Sequence, residues 1–404
     1  MPDITLELLT EASMPGGASC LTSVTELEPA AGPQASVAPA KFASRAPGDK
    51  RGEYAYERRY LDGASSQAVI IDSKQSQLNR CEAALHQAIA DGHPVLSTMP
   101  RIEVTYSRGG VTETYSDLTL PHRAFDGHVR AGTVDGRPVT QLEAYRAIRN
   151  ATPADARAVL EASPVSLVFG SWDSSRSARQ ARWRSTLVGE IIGFCADERP
   201  ALRGGARVDP VGMQVNLTEA SLKALADAQR AELSGATYKK AAAARPRAKD
   251  EAISASMLGL GGIPPTLDTL SGVACSRIIR SHVLSFASLR QLRFGAGPEG
   301  DAACRALLAA LALNALARSD AELYLRANCD LRESGPPAVE IDRRGGSRLA
   351  LQALTIAEAD ALLGAALAAA QQRAGVSWNG VAMRVTGNPD VVAGAVADTD
   401  GTDG

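Results

Sequence analysis

The run Ile70-Ile71-Asp72-Ser73-Lys74-Gln75-Ser76-Gln77-Leu78-Asn79-Arg80 gathers the residue types that hold a phosphate. Hydroxyls, amides, a lysine and an arginine crowd the point where the apolar pattern changes period. Val69, Ile70 and Ile71 are a β-branched run, the mark of a strand. Leu78, Cys81, Leu85, Ala88 and Ile89 then recur at helical spacing. Asp72 or Ser73 is a suitable N-cap, since its side-chain oxygen can accept from the free N–H groups of the first turn. A helix start also presents the positive end of a dipole, which favours an anion. Ser73, Lys74, Gln75, Ser76, Asn79 and Arg80 therefore border a possible phosphate site, with Gln75 and Asn79 one turn apart on the exposed side. The same residues equally suit an ordinary capped helix with a solvated face.

Basic groups cluster elsewhere too. Arg176, Arg179, Arg182 and Arg184 crowd one segment, Lys239, Lys240, Arg245, Arg247 and Lys249 a second, and Arg277, Arg280, Arg290 and Arg293 a third. His282, near Arg280 and Ser281, is the candidate for a different chemistry. RNA cleavage by 2′-hydroxyl attack needs a proton shuttle and a cation on the phosphate. No second histidine lies nearby in sequence.

Composition narrows the choice. The 404 residues are 45% hydrophobic and 22% charged, with a formal net charge of −2, as in ordinary soluble globular chains. Near-neutrality argues against an autonomous basic nucleic-acid domain. Aromatics at 4% argue against bases stacked on a platform of Phe and Tyr. Any nucleic acid is then held mainly by its sugar–phosphate backbone. The six cysteines are scattered without metal-ligand spacing and read as reduced, mostly buried thiols, so neither metal nor cofactor is expected. Met1 to Glu7 lacks the pattern of a secretory leader, and the apolar tracts Ala306–Ala317 and Ala361–Ala370 fall short of the ~20 residues a bilayer span needs. A cytoplasmic protein without membrane contact is expected.

The elements that must position these groups follow from pattern. Residues 20–50, rich in Ala, Pro, Ser and Gly, read as a long loop or insertion. Arg101–Tyr106 alternates and turns at Gly109-Gly110 into Val111–Leu120, a hairpin. Two short helices are expected between Val139 and Ala162, a buried strand over Ser166–Gly170, and another strand from Thr186 to Phe194. Thr218–Leu233 reads as a helix. Ser234–Leu270 is the least globular stretch, and Gly259-Leu260-Gly261-Gly262-Ile263-Pro264-Pro265 suggests a projecting loop. Asp301–Arg318 is apolar nearly all round and should be a buried helix. Leu323–Arg332 alternates like a strand, and strands at Val339–Asp342, Leu349–Leu354 and Val381–Val385 accompany a helix at Ala357–Gln372. Residues after Pro389 are expected to be disordered. The fold class is α+β, a sheet with helices on one face.

Three sets of residues together resemble one family. They are Val69–Arg80; Phe169-Gly170-Ser171-Trp172-Asp173-Ser174 with Arg179-Gln180; and Arg277–Phe286 with Leu325-Arg326-Ala327-Asn328-Cys329-Asp330-Leu331. In this order they resemble the backbone subunit of the type I-G (formerly I-U) CRISPR surveillance complex, in the Cas-seven group of repeat-associated RNA-binding proteins. The resemblance implies a modified RNA-recognition, ferredoxin-like palm with finger and thumb insertions, here 108–162 and 234–270, in one body over 1–389. It implies copies stacked along a crRNA guide, which they display for pairing with target DNA. The implied partners are further copies, other complex subunits and a separate helicase–nuclease, and the subunit itself cuts nothing. Ser73, Lys74, Gln75, Ser76, Asn79 and Arg80 become guide-phosphate contacts. Trp172, Ser174, Arg176, Arg179, Arg277, Arg280 and His282 join the RNA-facing set. Lys239 and Lys240 join with Gly259–Pro265 as a thumb, matched by composition and position. The rival readings are a guide-processing endoribonuclease using His282, and a scaffold with no RNA site.

Overall fold

The computed structural model describes residues 1–43, 52–173, 175–176, 181–195, 202–246, 252–264 and 269–395. Residue contacts divide the chain into two units, one of 1–40, 56–196 and 274–395, the other including 41–55 and 197–273.

The first unit begins with helix α1 (Leu6–Ser13) and strand β1 (Cys20–Pro29). The hairpin β2 (Tyr56–Leu61) and β3 (Ala64–Asp72) runs into helix α2 (Lys74–Ala90). Strands β4 (Arg101–Arg108) and β5 (Val111–Ser116) follow, then short helices α3 (Glu143–Asn150), α4 (Arg157–Ala162) and α5 (Pro164–Val168). After β6 (Leu187–Phe194) and β7 (Arg277–Ser285) come helix α6 (Gly297–Ala321) and β8 (Leu331–Glu333), β9 (Ala338–Asp342) and β10 (Arg348–Leu351). Helix α7 (Ile356–Ala374), strand β11 (Val381–Thr386) and a last helix at Pro389–Gly394 complete the unit.

The main sheet is antiparallel, in the order β10-β9-β1-β7-β6-β3-β2, with β8 also on β1. Leu21, Leu187, Leu284, Val339 and Ile341 on its inner face share one core with Leu78, Cys81 and Leu85 of α2 and with Cys304, Leu307 and Leu311 of α6. The fold is thus α+β, as the patterns predict. A second sheet, β5-β4-β11 continued by Thr133–Val134 and Arg137–Pro138, joins the same core through Ile102, Val104 and Val385. The 108–162 stretch therefore shares its sheet with β4 and the late strand β11. Helix α6 is long and apolar enough to cross a membrane, longer than its apolar tract indicated, yet it is almost wholly buried within this unit.

Several expectations are corrected. Residues 20–50 are not one loop, because Cys20–Pro29 is a central strand of the main sheet; 44–51 lie outside the described residues. Ser166–Gly170 is buried but belongs mostly to α5, which starts with Pro164 in its first turn, where no N–H bond is lost. The alternation at 323–331 makes no strand before Leu331: Ala327-Asn328 turns, with Asn328 at φ 61, and Ala327 is exposed. Pro389–Gly394 is helical, capped by Asn388, and 396–404 lie outside the described residues.

The second unit contains a helix at Glu219–Ala228, a helix at Gly235–Ala243 and small two-stranded pairings. The glycine-rich stretch is more ordered than its composition indicates. Gly259 caps a 3-10 turn over Ala255–Leu258, and Asp209 accepts from Val211 N at 2.8 Å and Gly261 N at 2.9 Å. Val208, Val211, Met213 and Ile263 of this unit are exposed.

Candidate nucleic-acid interface

The joint of β3 and α2 forms as the residue pattern requires. Ser73 is extended and its hydroxyl accepts from Ser76 N at 3.3 Å, capping α2. Leu78, Cys81, Leu85 and Ala88 are buried, while Lys74, Gln75 and Asn79 are exposed. A bulge precedes the helix: Ile70 pairs with Ile192 but Asp72 with Ile191, so β3 has one extra residue there. Ile71 and Asp72 beside it are both fully buried.

Asp72 is the centre of this joint. Its carboxylate accepts from Ser76 Oγ at 2.9 Å, Gln77 Nε2 at 2.6 Å and Arg80 Nε at 3.1 Å, and it is bonded by Arg326. Burial pushes the Asp72 pKa up, but the bonds from Arg80 and Gln77 and the charges of Arg80 and Arg326 outweigh it and hold the carboxyl below its usual range. Arg80 also donates to the carbonyls of Tyr324 and Leu325, and Arg326 to that of Ile71 at 2.6 Å. The segment at 324–326 is thereby tied to the start of α2, which joins two of the three sets of residues singled out in sequence. Arg80 and Arg326 are partners of a buried carboxylate before they can be partners of a phosphate. Lys74 is the more available cation, with its ammonium 4.0 Å from Glu190, a carboxylate already paired with Arg59 at 2.6 Å.

One turn further along α2, Glu82 carries the connection to the remaining set. Arg123 donates to both Glu82 oxygens, at 2.5 and 2.7 Å, and to the carbonyl of Gly170 at 2.6 Å. Gly170 sits at φ 81, and a Cβ there would come within 2.8 Å of Trp183 O, so glycine is required at this turn. Beyond it Trp172 is 43% exposed, with the Arg182 guanidinium 4.4 Å over its ring. Arg176 donates to Arg149 O and Asn150 Oδ1, both at 2.9 Å. Ser174 and Arg179 lie outside the described residues. Lys239 and Lys240 are exposed on the helix Gly235–Ala243 of the second unit.

Strand β7 turns two of the sequence candidates inward. Arg280, 2% exposed, pairs with Asp320 at 3.3 Å and Glu333 at 2.5 Å and donates to Thr25 Oγ1 at 3.3 Å. His282 is equally buried, its ring over Gly189, where a Cβ would stand 2.0 Å from His282 Cδ2. Burial, with the Arg280 charge beside it, pushes the His282 pKa down to about 3. This corrects their reading as surface contacts: alternation places both on the sheet's covered face, where neither reaches a strand lying on the surface. Arg277, on the opposite face, is paired with Glu26. The network of Asp72, Arg326, Glu82, Arg123, Glu190 and Arg59 escaped sequence reasoning, since its partners lie far apart in the chain and only Asp72, as a possible cap, left a local signal.

Residues 21–198 match the model of a family described as CRISPR-associated protein GSU0053. The matched stretch runs from β1 through β6 and contains the joint, the Arg123 link and Trp172. Over that stretch, somewhat under half of the chain, the sequence is similar to a CRISPR-associated family. No curated protein matches the chain.

Proposed function

We propose that this chain is the crRNA-binding backbone subunit of a type I-G CRISPR surveillance complex, acting in the cytoplasm. Copies assemble along the guide and present it for pairing with target DNA, together with other subunits of the complex and a separate helicase–nuclease that does the cutting. The observation that carries this reading is the CRISPR-associated family match over a stretch whose exposed helix start offers Lys74, Gln75 and Asn79. The strand order supports it. Taking β1, α2, β6, β7, α6 and β9 in turn, the first and third strands are central and the second and fourth flank them, with both helices on one face. That is the split βαβ arrangement of ferredoxin-like, RNA-recognition sheets. The exposed apolar side chains Val208, Val211, Met213 and Ile263 suit a thumb that wedges against a partner or a base.

The endoribonuclease reading through His282 loses its support, because a buried imidazole held neutral cannot shuttle a proton to a strand on the surface. Binding of single-stranded RNA tests the proposal. Affinity should fall with salt at a log–log slope of about −0.7 per phosphate neutralised, and Lys74→Glu should reduce that slope by about one such contact. Salt-independent binding, or a Lys74→Glu protein with unchanged slope, would overturn the phosphate model.

A further inference from the structure

The covered face of the main sheet holds a cavity that the guide-binding reading does not use. Its volume is about 310 Å³, and Leu21, Leu313, Leu316, Val339 and Ile356 give it apolar walls. One end is charged. Asp320, in the last turn of α6, and Glu333, at the end of β8, both line it, and the Arg280 guanidinium is paired to each. Two carboxylates share one cation there, so the group is net negative.

Four observations favour a cationic donor at that end. The Asp320 carboxylate, 21% exposed, lies 3.3 Å from Arg280 Nη1 but takes no hydrogen bond among the described residues. Glu333 takes only that of Arg280 Nη2. Burial pushes the Asp320 pKa up to about 6, against the pull of Arg280 and with the push of the Glu333 charge, as in a carboxylate short of compensating cations. Ala321 ends α6 beside it, and the negative end of that helix dipole adds to the same field. Ser23, 6% exposed on the inner face of β1, lines the cavity with a hydroxyl that has no partner among the described residues.

A molecule with an apolar body and one cationic donor matches this arrangement, the walls taking the body and the carboxylates the head. A carboxylate or phosphate would be repelled by the same two acids. We propose that this cavity binds a small aliphatic amine, its chain against Leu313 and Val339 and its ammonium between Asp320 and Glu333. The bound amine would bridge the end of α6 to β8. The site is independent of the guide-binding reading and adds a small-molecule ligand to it.

Calorimetry on the nucleic-acid-free full chain with hexylammonium chloride, 1-hexanol and hexanoate tests the site. Hexylammonium should bind saturably, in the roughly millimolar range open to so small a ligand. It should bind about tenfold more tightly than 1-hexanol, the scale of one charged hydrogen bond. Hexanoate should give no saturable heat. Asp320→Asn should remove most of the preference for amine over alcohol. Ala317→Leu, which fills the cavity from α6 and removes no polar group, should abolish binding of both with circular dichroism unchanged. No saturable heat from hexylammonium, equal affinity for amine and alcohol, or a folded Ala317→Leu protein that binds like the parent would overturn the site.

Discussion

Replacing Asp72 with asparagine leaves Arg80 and Arg326 facing a neutral amide inside the joint. The parent carboxylate is fully buried and takes bonds from Ser76, Gln77, Arg80 and Arg326, and an amide cannot accept all of them because its nitrogen is itself a donor. Removing one partner from a buried ion pair costs about 3–5 kcal/mol. The Arg80 side chain is 22% exposed and recovers some hydration, so the low end applies, about 3 kcal/mol. At about 2.1 cal/mol/K of unfolding entropy per residue, a unit of about 300 residues shifts by about 1.6 °C per kcal/mol, so the midpoint should fall by roughly 5 °C. All three tryptophans lie in the first unit, so emission during heating or urea unfolding follows the part that contains Asp72. The pH dependence has a fixed sign. A carboxyl held low in the folded state stabilises above its unfolded value of about 3.9, and that contribution fades as pH falls through the folded value. The gap between variant and parent should therefore be full at neutral pH and close in strong acid. An unchanged midpoint at pH 7 would refute the assignment of Asp72 as the centre of the joint.

Two further perturbations probe the covered face of the sheet. His282 has a folded pKa of about 3, so between roughly pH 6.5 and 3 the unfolded chain binds a proton that the folded chain does not, and stability falls by up to about 1.4 kcal/mol per pH unit on acidification. His282→Gln should remove that slope. Asp117, pushed up to about 7 by burial, acts in the opposite sense, so the comparison is variant against parent, and identical slopes would contradict the prediction. Gly189→Ala should cost about 1–3 kcal/mol through overpacking against His282. That loss should shrink by more than about 0.5 kcal/mol in a His282→Ala background, and strict additivity in urea titrations would place the ring elsewhere.

Much of the scaffold was legible because its periods are clean. The stripe of α2, the hydroxyl cap at Ser73, the β4–β5 hairpin and the buried α6 follow directly from apolar spacing and turn residues. β1 was hidden because its buried face includes Ser23 and Thr25, which break the apolar alternation, and Thr25 is there to meet Arg280. α5 was mistaken for a strand because a short, fully apolar run carries no period. At 325–331 the spacing of Leu325, Cys329 and Leu331 mimics a strand, whereas Arg326 is drawn to Asp72 across 254 residues of sequence separation. The candidate interface was legible as a list of polar and basic residues, without their partners. Which arginines are occupied by carboxylates and which remain for a ligand depends on long-range pairing, and local sequence does not record it.

The most direct measurement is electron microscopy of the protein assembled on a guide transcript. An elongated oligomer is expected, with repeated subunits along one RNA strand and the strand's phosphates passing the start of α2 at Ser73–Gln75. A monomeric protein free of RNA, or RNA density on another face of the first unit, would contradict it.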